Sequence, residues 1–185
     1  MTKMMSMYLI LEAINNGSMQ WDEVIRVSEH AASLGGSQIY LKPGEEMQVR
    51  DLFKSIAIAS ANDAVTVLAE RVAGTEEAFV EKMNAKAKEL GMNDTVFKNP
   101  TGLTEEGHLT TPYDMSIIGR HLVQDYPEII EFSGLYEDYI RQDTESPFWL
   151  VNTNKLLKYV DGVDGLKTGY TQEAGYCLTA TANRG

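Results

Sequence analysis

Three short groups of residues carry side chains suited to chemistry: Lys3, Ser60-Ala61-Asn62, and Lys167-Thr168-Gly169 within the stretch GVDGLKTGYT, residues 162–171. Together they offer amines, hydroxyls and a carboxamide, groups that move protons and hold anions. The last group has the glycines, lysine and threonine of a phosphate loop, which reads G-x-x-x-x-G-K-[ST]. It does not fit, because Leu166 precedes the lysine and Gly162 and Gly165 stand too close together. Each group also has a plain structural reading. A lysine on a helix usually lies on a solvated face, Ser-Ala-Asn serves as a helix N-cap, and Lys-Thr-Gly ends a strand and opens a turn.

Other chemistries find less support. His30, His108 and His121 are far apart and lack the H-E-x-x-H spacing of a metal site. GGSQI around Ser37 lacks the final glycine of the G-x-S-x-G nucleophile turn. Cys177, the one cysteine, rules out an internal disulfide framework and reads as a small buried residue in the apolar run GYCLTATA. A formal net charge of −11 argues against nucleic acid as a partner and repels anionic membranes. There is no apolar run of transmembrane length and no signal peptide.

The elements that must position these residues follow from periodicity and punctuation. With 185 residues, the chain suits one domain or most of one. The opening stretch predicts an amphipathic helix with Met4, Met7, Tyr8, Leu11 and Ile14 on one face, stopped by Asn15-Asn16-Gly17. Residues 22–49 read as short strands and turns. Helices are predicted over 51–59 and 61–73, broken near Ser60, and over 75–90, where Thr75, Glu76 and Glu77 make a good start and Gly91 an end. After the loop NPTGLTEEGHLTTPYD come helices over about 113–125, with Pro112 in the first turn, and 127–132. Residues 134–160 give no clear pattern. From Gly165 onward two strands joined by a turn are predicted, the second over Tyr176–Ala182. The uncapped helix at the start and the apolar strand at the finish predict further sequence at both ends.

In this order the three groups resemble the penicillin-recognising serine acyl-transferases, whose signature is S-x-x-K, S-x-N and K-T-G. IASANDAV, NPTGL and VDGLKTGYTQEAGYCLTATA are similar to the D-alanyl-D-alanine carboxypeptidases of that group, and the similarity spans nearly the whole chain. The resemblance implies a β-lactamase/transpeptidase-like α/β fold. It would have an antiparallel sheet with flanking helices and a mostly helical region carrying Ser60 and Asn62, with residues 1–185 forming part of one such domain. It implies removal of the terminal D-alanine from peptidoglycan stem peptides through an acyl-enzyme, without a metal or organic cofactor. Lys3 would be the base, Ser60 a proton relay and Asn62 a substrate contact. Lys167, Thr168 and Gly169 would bind the substrate, and the Tyr170 N–H would stabilise an oxyanion. β-Lactams would inhibit, and the setting would be the bacterial envelope outside the cytoplasm, with a membrane tether only through a C-terminal helix. A class A β-lactamase-like hydrolase and a non-catalytic cell-wall module are the alternatives; the stretch NPTGL fits the carboxypeptidases better than the first.

The sequence departs from the family in two respects. The nucleophile should stand three residues before Lys3, and no serine in the chain has a lysine three residues on; the +3 residue of Ser6 is Leu9. The segment is therefore expected to be inactive alone. The family's downstream carboxylate-binding arginine is also absent, and nothing assigns that role to Arg184.

Overall fold

The computed structural model describes residues 1–184. Its centre is α1 (Lys3–Asn15). Residues from Lys3 to Leu11 are all buried, because Met5, Leu9 and Ile10 fill the faces between the apolar positions that the spacing picked out. The amphipathic expectation is thus corrected: a helix apolar all round belongs inside a core. Fully burying side chains such as Met4, Ile10 and Leu11 contributes about 1.5–3 kcal/mol each. Around α1 pack α3 (Val49–Ala59), α4 (Asn62–Ala73), α5 (Glu76–Glu89) and α6 (Pro112–Asp125). Two of the helices start on threonine caps, of which the sequence singled out Thr75. The Thr75 hydroxyl accepts from the Ala78 N–H and that of Thr111 from the Asp114 N–H, which occupies donors otherwise left over at a helix start.

The strands form three separate antiparallel pairs among the described residues, rather than one continuous sheet. β1 (Val24–Arg26) and β2 (Glu46–Gln48) flank the one-turn helix α2 (Glu29–Ala32) and the turn-rich segment 33–45. The unplaced region 134–160 contains β3 (Glu137–Ile140), β4 (Phe148–Val151) and the one-turn helix α8 (Leu156–Tyr159). β5 (Val163–Thr171) and β6 (Gly175–Ala182) make the longest ladder, with Lys167 opposite Thr179 and Gly169 opposite Cys177. This ladder lies against α6 and α7 (Ile129–Ser133). Gly119 of α6 permits the approach, since a methyl group there would fall 3.0 Å from Thr179 Cγ2. Cys177 is not a core residue: β6 alternates half-buried and exposed positions along its length, and the thiol lies on the half-covered face.

Candidate active site

Four segments converge at the N-terminal end of α1. Lys3 enters from that helix, Ser60 and Asn62 from the break between α3 and α4, Thr101 from the loop before α6, and Lys167 from β5. Lys3, Asn62 and Lys167 are 5, 4 and 3% exposed, so the solvated-face reading of Lys3 does not hold. Lys3 Nζ donates to Asn62 Oδ1 at 2.6 Å and to the Thr101 carbonyl at 2.8 Å. Lys167 Nζ donates to Ser60 Oγ at 3.0 Å and to the Thr168 carbonyl at 2.9 Å.

The backbone of the α3–α4 break explains how two residues so close in sequence serve two lysines. Ser60 ends α3 in the left-handed region, φ 58° and ψ 35°, where glycine is usual and a side chain is strained. Ala61, not Ser60, stands at the N-cap of α4 and makes no side-chain cap bond. The kink turns Ser60 toward Lys167 while Asn62, in the first turn of α4, faces Lys3. The N-cap reading of Ser-Ala-Asn is thereby overturned.

The loop NPTGL acts as an acceptor template, a role that residue types alone did not reveal. Asn99 Oδ1 accepts from the Thr101 hydroxyl and the Gly102 N–H, and Asn99 Nδ2 donates to the Leu103 carbonyl. So braced, the loop presents the Thr101 carbonyl to Lys3 and the Pro100 carbonyl to the buried Ser6 hydroxyl, 2.7 Å away. Gly102, at φ +83°, lies where a Cβ would come 3.1 Å from the Thr2 side chain. Thr2 Oγ1 is 3.0 Å from His108 Nε2. The buried Nδ1 of His108 has no partner, which favours a neutral ring with the proton on Nε2.

Gly169 permits another close approach, because a Cβ there would lie 2.8 Å from the backbone nitrogen of Met1. The Thr168 hydroxyl touches that of Thr153. Tyr170 is 61% exposed and its ring lies over that of Tyr176 across the ladder. β5 pairs only with β6 among the described residues, which leaves its other edge unpaired there.

Electrostatics separate the two lysines. Burial pushes Lys3 well below the ordinary lysine value, the neighbouring Lys167 pushes the same way, and Asp63 opposes both. Burial lowers Lys167 to about 8. Repulsion between two buried ammonium groups is relieved when one gives up its proton. Lys3, depressed by burial and by its neighbour, gives it up first, and Lys167 keeps the charge.

A folding consequence follows from the sign of these shifts. Lys167 is depressed in the folded state, so its neutral form favours folding and its charged form opposes it. Stability gained at high pH is therefore lost as pH falls from about 10.5 toward about 8. The expected change is about 3 kcal/mol, from about 1.4 kcal/mol per pKa unit. Denaturant unfolding at pH 7.5 and pH 10 should show a gain larger by about 2 kcal/mol in the wild type than in Lys167→Met, since the depressed Lys3 adds a gain of the same sign to both. An identical pH slope in the two proteins would contradict it.

With this geometry in view, the relatives are informative. The D-alanyl-D-alanine carboxypeptidase family, peptidase S11, matches residues 1–185. The chain is 59% identical over 185 residues to the D-alanyl-D-alanine carboxypeptidase DacF of Bacillus subtilis, covering all of this chain and 47% of that protein. It is 36% identical over 195 residues to DacC of Escherichia coli, again across all of this chain and 47% of the relative. The chain thus spans about half the length of the curated relatives it matches. Among solved structures, the carboxypeptidase DacD from Francisella tularensis superposes with a TM-score of 0.92 at 32% identity, over 99% of this chain and 56% of that one. Penicillin-binding protein D2 from Listeria monocytogenes, solved with ampicillin bound, gives a TM-score of 0.85 at 35% identity, over 100% of this chain and 73% of that one. Sequence and fold agree that the chain belongs to the D-alanyl-D-alanine carboxypeptidase family, peptidase S11.

Proposed function

We propose that the protein containing this segment is a serine-type D-alanyl-D-alanine carboxypeptidase that removes the terminal D-alanine of peptidoglycan stem peptides outside the cytoplasm. The observation that carries the reading is Lys3: a buried lysine, depressed well below its ordinary value and held by two acceptors. A neutral amine has two hydrogens and one lone pair. Asn62 Oδ1 and the Thr101 carbonyl take the hydrogens, which leaves the lone pair free to accept a proton. In this reading the serine stands three residues before Lys3. The Met1 nitrogen, through which a preceding residue is joined, lies against Gly169 of the Lys-Thr-Gly strand.

The other residues take complementary roles. Lys3 withdraws the serine proton as the hydroxyl attacks the peptide carbonyl. Ser60, whose oxygen accepts from the charged Lys167, passes its own proton to the departing D-alanine amine and is reprotonated by the Lys3 ammonium, which returns Lys3 to the neutral form. Asn62 Nδ2 spends one hydrogen on the Gly35 carbonyl, and its second is left for the substrate amide. Lys167 and Thr168 attract the substrate carboxylate. The unpaired edge of β5 offers backbone groups to an extended peptide, with the Tyr170 N–H aimed at the developing oxyanion. Water then attacks the acyl carbonyl, giving a proton to neutral Lys3, which returns it to the serine oxygen as the acyl bond breaks. A β-lactam carbonyl would acylate the same serine and act as inhibitor. Among the described residues no helix is long and apolar enough to cross a membrane.

The experiment is D-alanine release from a peptide ending in D-Ala-D-Ala, using the protein with its native flanking sequence. Release at a rate well above background is expected. A folded protein that neither releases D-alanine nor reacts with penicillin would be the non-catalytic cell-wall module instead.

A further inference from the structure

Directly after Asn62 comes Asp63, a carboxylate with no solvent exposure. Its hydrogen-bond partners are backbone N–H groups. The carboxylate accepts from Ile39 at 3.2 and 3.1 Å, from Leu41 at 3.1 Å and from Ala64 at 2.9 Å. Two of those residues belong to the segment 35–41, more than twenty positions away in sequence. An aspartate in the first turn of a helix ordinarily serves the helix dipole from the surface. Burying one is costly unless every lone pair is answered, so its use here calls for a reason beyond starting α4.

The reason lies in what segment 35–41 does on its other side. The Gly35 carbonyl accepts from Asn62 Nδ2 at 2.7 Å, and the Ser37 carbonyl accepts from the Asn62 N–H at 2.7 Å. Gly36 between them has φ +78°, and a Cβ there would fall 2.8 Å from Asn62 Nδ2. From outside, Arg141 donates to the Ile39 carbonyl at 2.9 Å and to Glu45 at 2.8 Å. The segment is thus a template pressed on the amide that grips Lys3, and Asp63 is the group that ties it down from within.

We infer that Asp63 is a positioning residue. By fixing segment 35–41 it fixes the Asn62 amide, and through that amide the orientation of the Lys3 amine. The inference rests on the proposed role of Lys3 as base. Gly36 has a related part, because only a residue without Cβ lets the segment close on Asn62.

The test compares wild type, Asp63→Asn, Gly36→Ala and Thr75→Ala, each in the protein with its native flanking sequence. Asp63→Asn keeps the shape but turns an NH2 group toward converging N–H donors. Time-resolved labelling with penicillin should reach the same final labelled fraction as wild type, with an acylation rate constant lower by about tenfold or more, the scale of loss expected from a small misplacement of a reacting group. Thr75→Ala removes a distant cap; it should lower the melting temperature and leave the rate unchanged. Asp63→Asn that is folded and acylates at the wild-type rate would overturn the inference. If Asp63→Asn does not fold, Gly36→Ala decides: its exposed position spares the core, and a wild-type rate there would overturn the inference equally. A wild type that never labels would count against the carboxypeptidase reading, and a crystal structure of the variants then decides the positioning claim separately. The Lys3–Asn62 contact of 2.6 Å should lengthen or break, and its retention in both variants would overturn the inference.

Discussion

Lys3→Ala, in the protein with its native flanking sequence, should lower the rate of acylation by penicillin by about a thousandfold or more. General-base assistance contributes about 10²–10⁴-fold, and a serine hydroxyl is a weak nucleophile without it. The informative companion is Lys3→Arg. Arginine keeps a positive charge and its donors but cannot lose a proton in a protein. If Lys3 works as a base, Lys3→Arg is as slow as Lys3→Ala. If Lys3 only supplies charge, Lys3→Arg recovers much of the rate, and the base assignment is wrong. Both variants leave Asn62 Oδ1 and the Thr101 carbonyl altered, so rates should be measured per folded molecule.

Lys167→Met should have opposite effects on function and stability. Acylation should fall by about a hundredfold or more, because the variant loses a charge-assisted substrate contact and the donor that holds Ser60 Oγ. Stability at neutral pH should rise. Removing the buried ammonium relieves about 3 kcal/mol, and leaving the Ser60 hydroxyl and Thr168 carbonyl less well paired returns about 1–2 kcal/mol. Chemical denaturation at pH 7 together with labelling kinetics checks both halves. A variant that is less stable than wild type, or that acylates normally, would show that Lys167 is a structural lysine. Such a trade of stability for function is expected where a site keeps a strained or desolvated group.

The parts of this molecule that were legible from sequence are those with local signals. Thr75 announces α5 and Pro112 announces α6, because a cap and a first-turn proline are residue types at fixed places. Lys-Thr-Gly reads as a strand because apolar and β-branched residues continue around it. The break at Ser60 is visible as a pause between two helical patterns, but its left-handed conformation is not, since serine carries no mark of it. α1 misleads because its apolar residues at helical spacing match an amphipathic face, while the equally apolar residues between them decide burial. The three two-stranded ladders could not be told from one sheet, because pairing partners are fixed by tertiary contact. The strands of the 134–160 region were hidden for a related reason: β3 and β4 are short and carry charged or aromatic residues on exposed positions.

For the site, side chains were legible and backbone was not. Lys3, Ser60, Asn62 and Lys167 stand out by type and order, and the structure brings them together. The Thr101 carbonyl and the Gly35 and Ser37 carbonyls hold the same constellation. A carbonyl belongs to every residue, so no pattern in the sequence singles these out. The glycines at 36, 102 and 169 were the one available hint, because each marks a place where a Cβ would collide with a neighbour.

In the proposed mechanism the nucleophile stands three residues before Lys3 and is activated by Lys3, Ser60 and Asn62. Intact-protein mass spectrometry after penicillin treatment tests this most directly. The protein with its native sequence before Met1 and after Gly185 should gain the mass of one β-lactam, and peptide mapping should place it on a serine three residues before Lys3. The 185-residue chain alone should gain nothing. A stable adduct on that chain, mapped to any serine between Met1 and Gly185, would contradict the account.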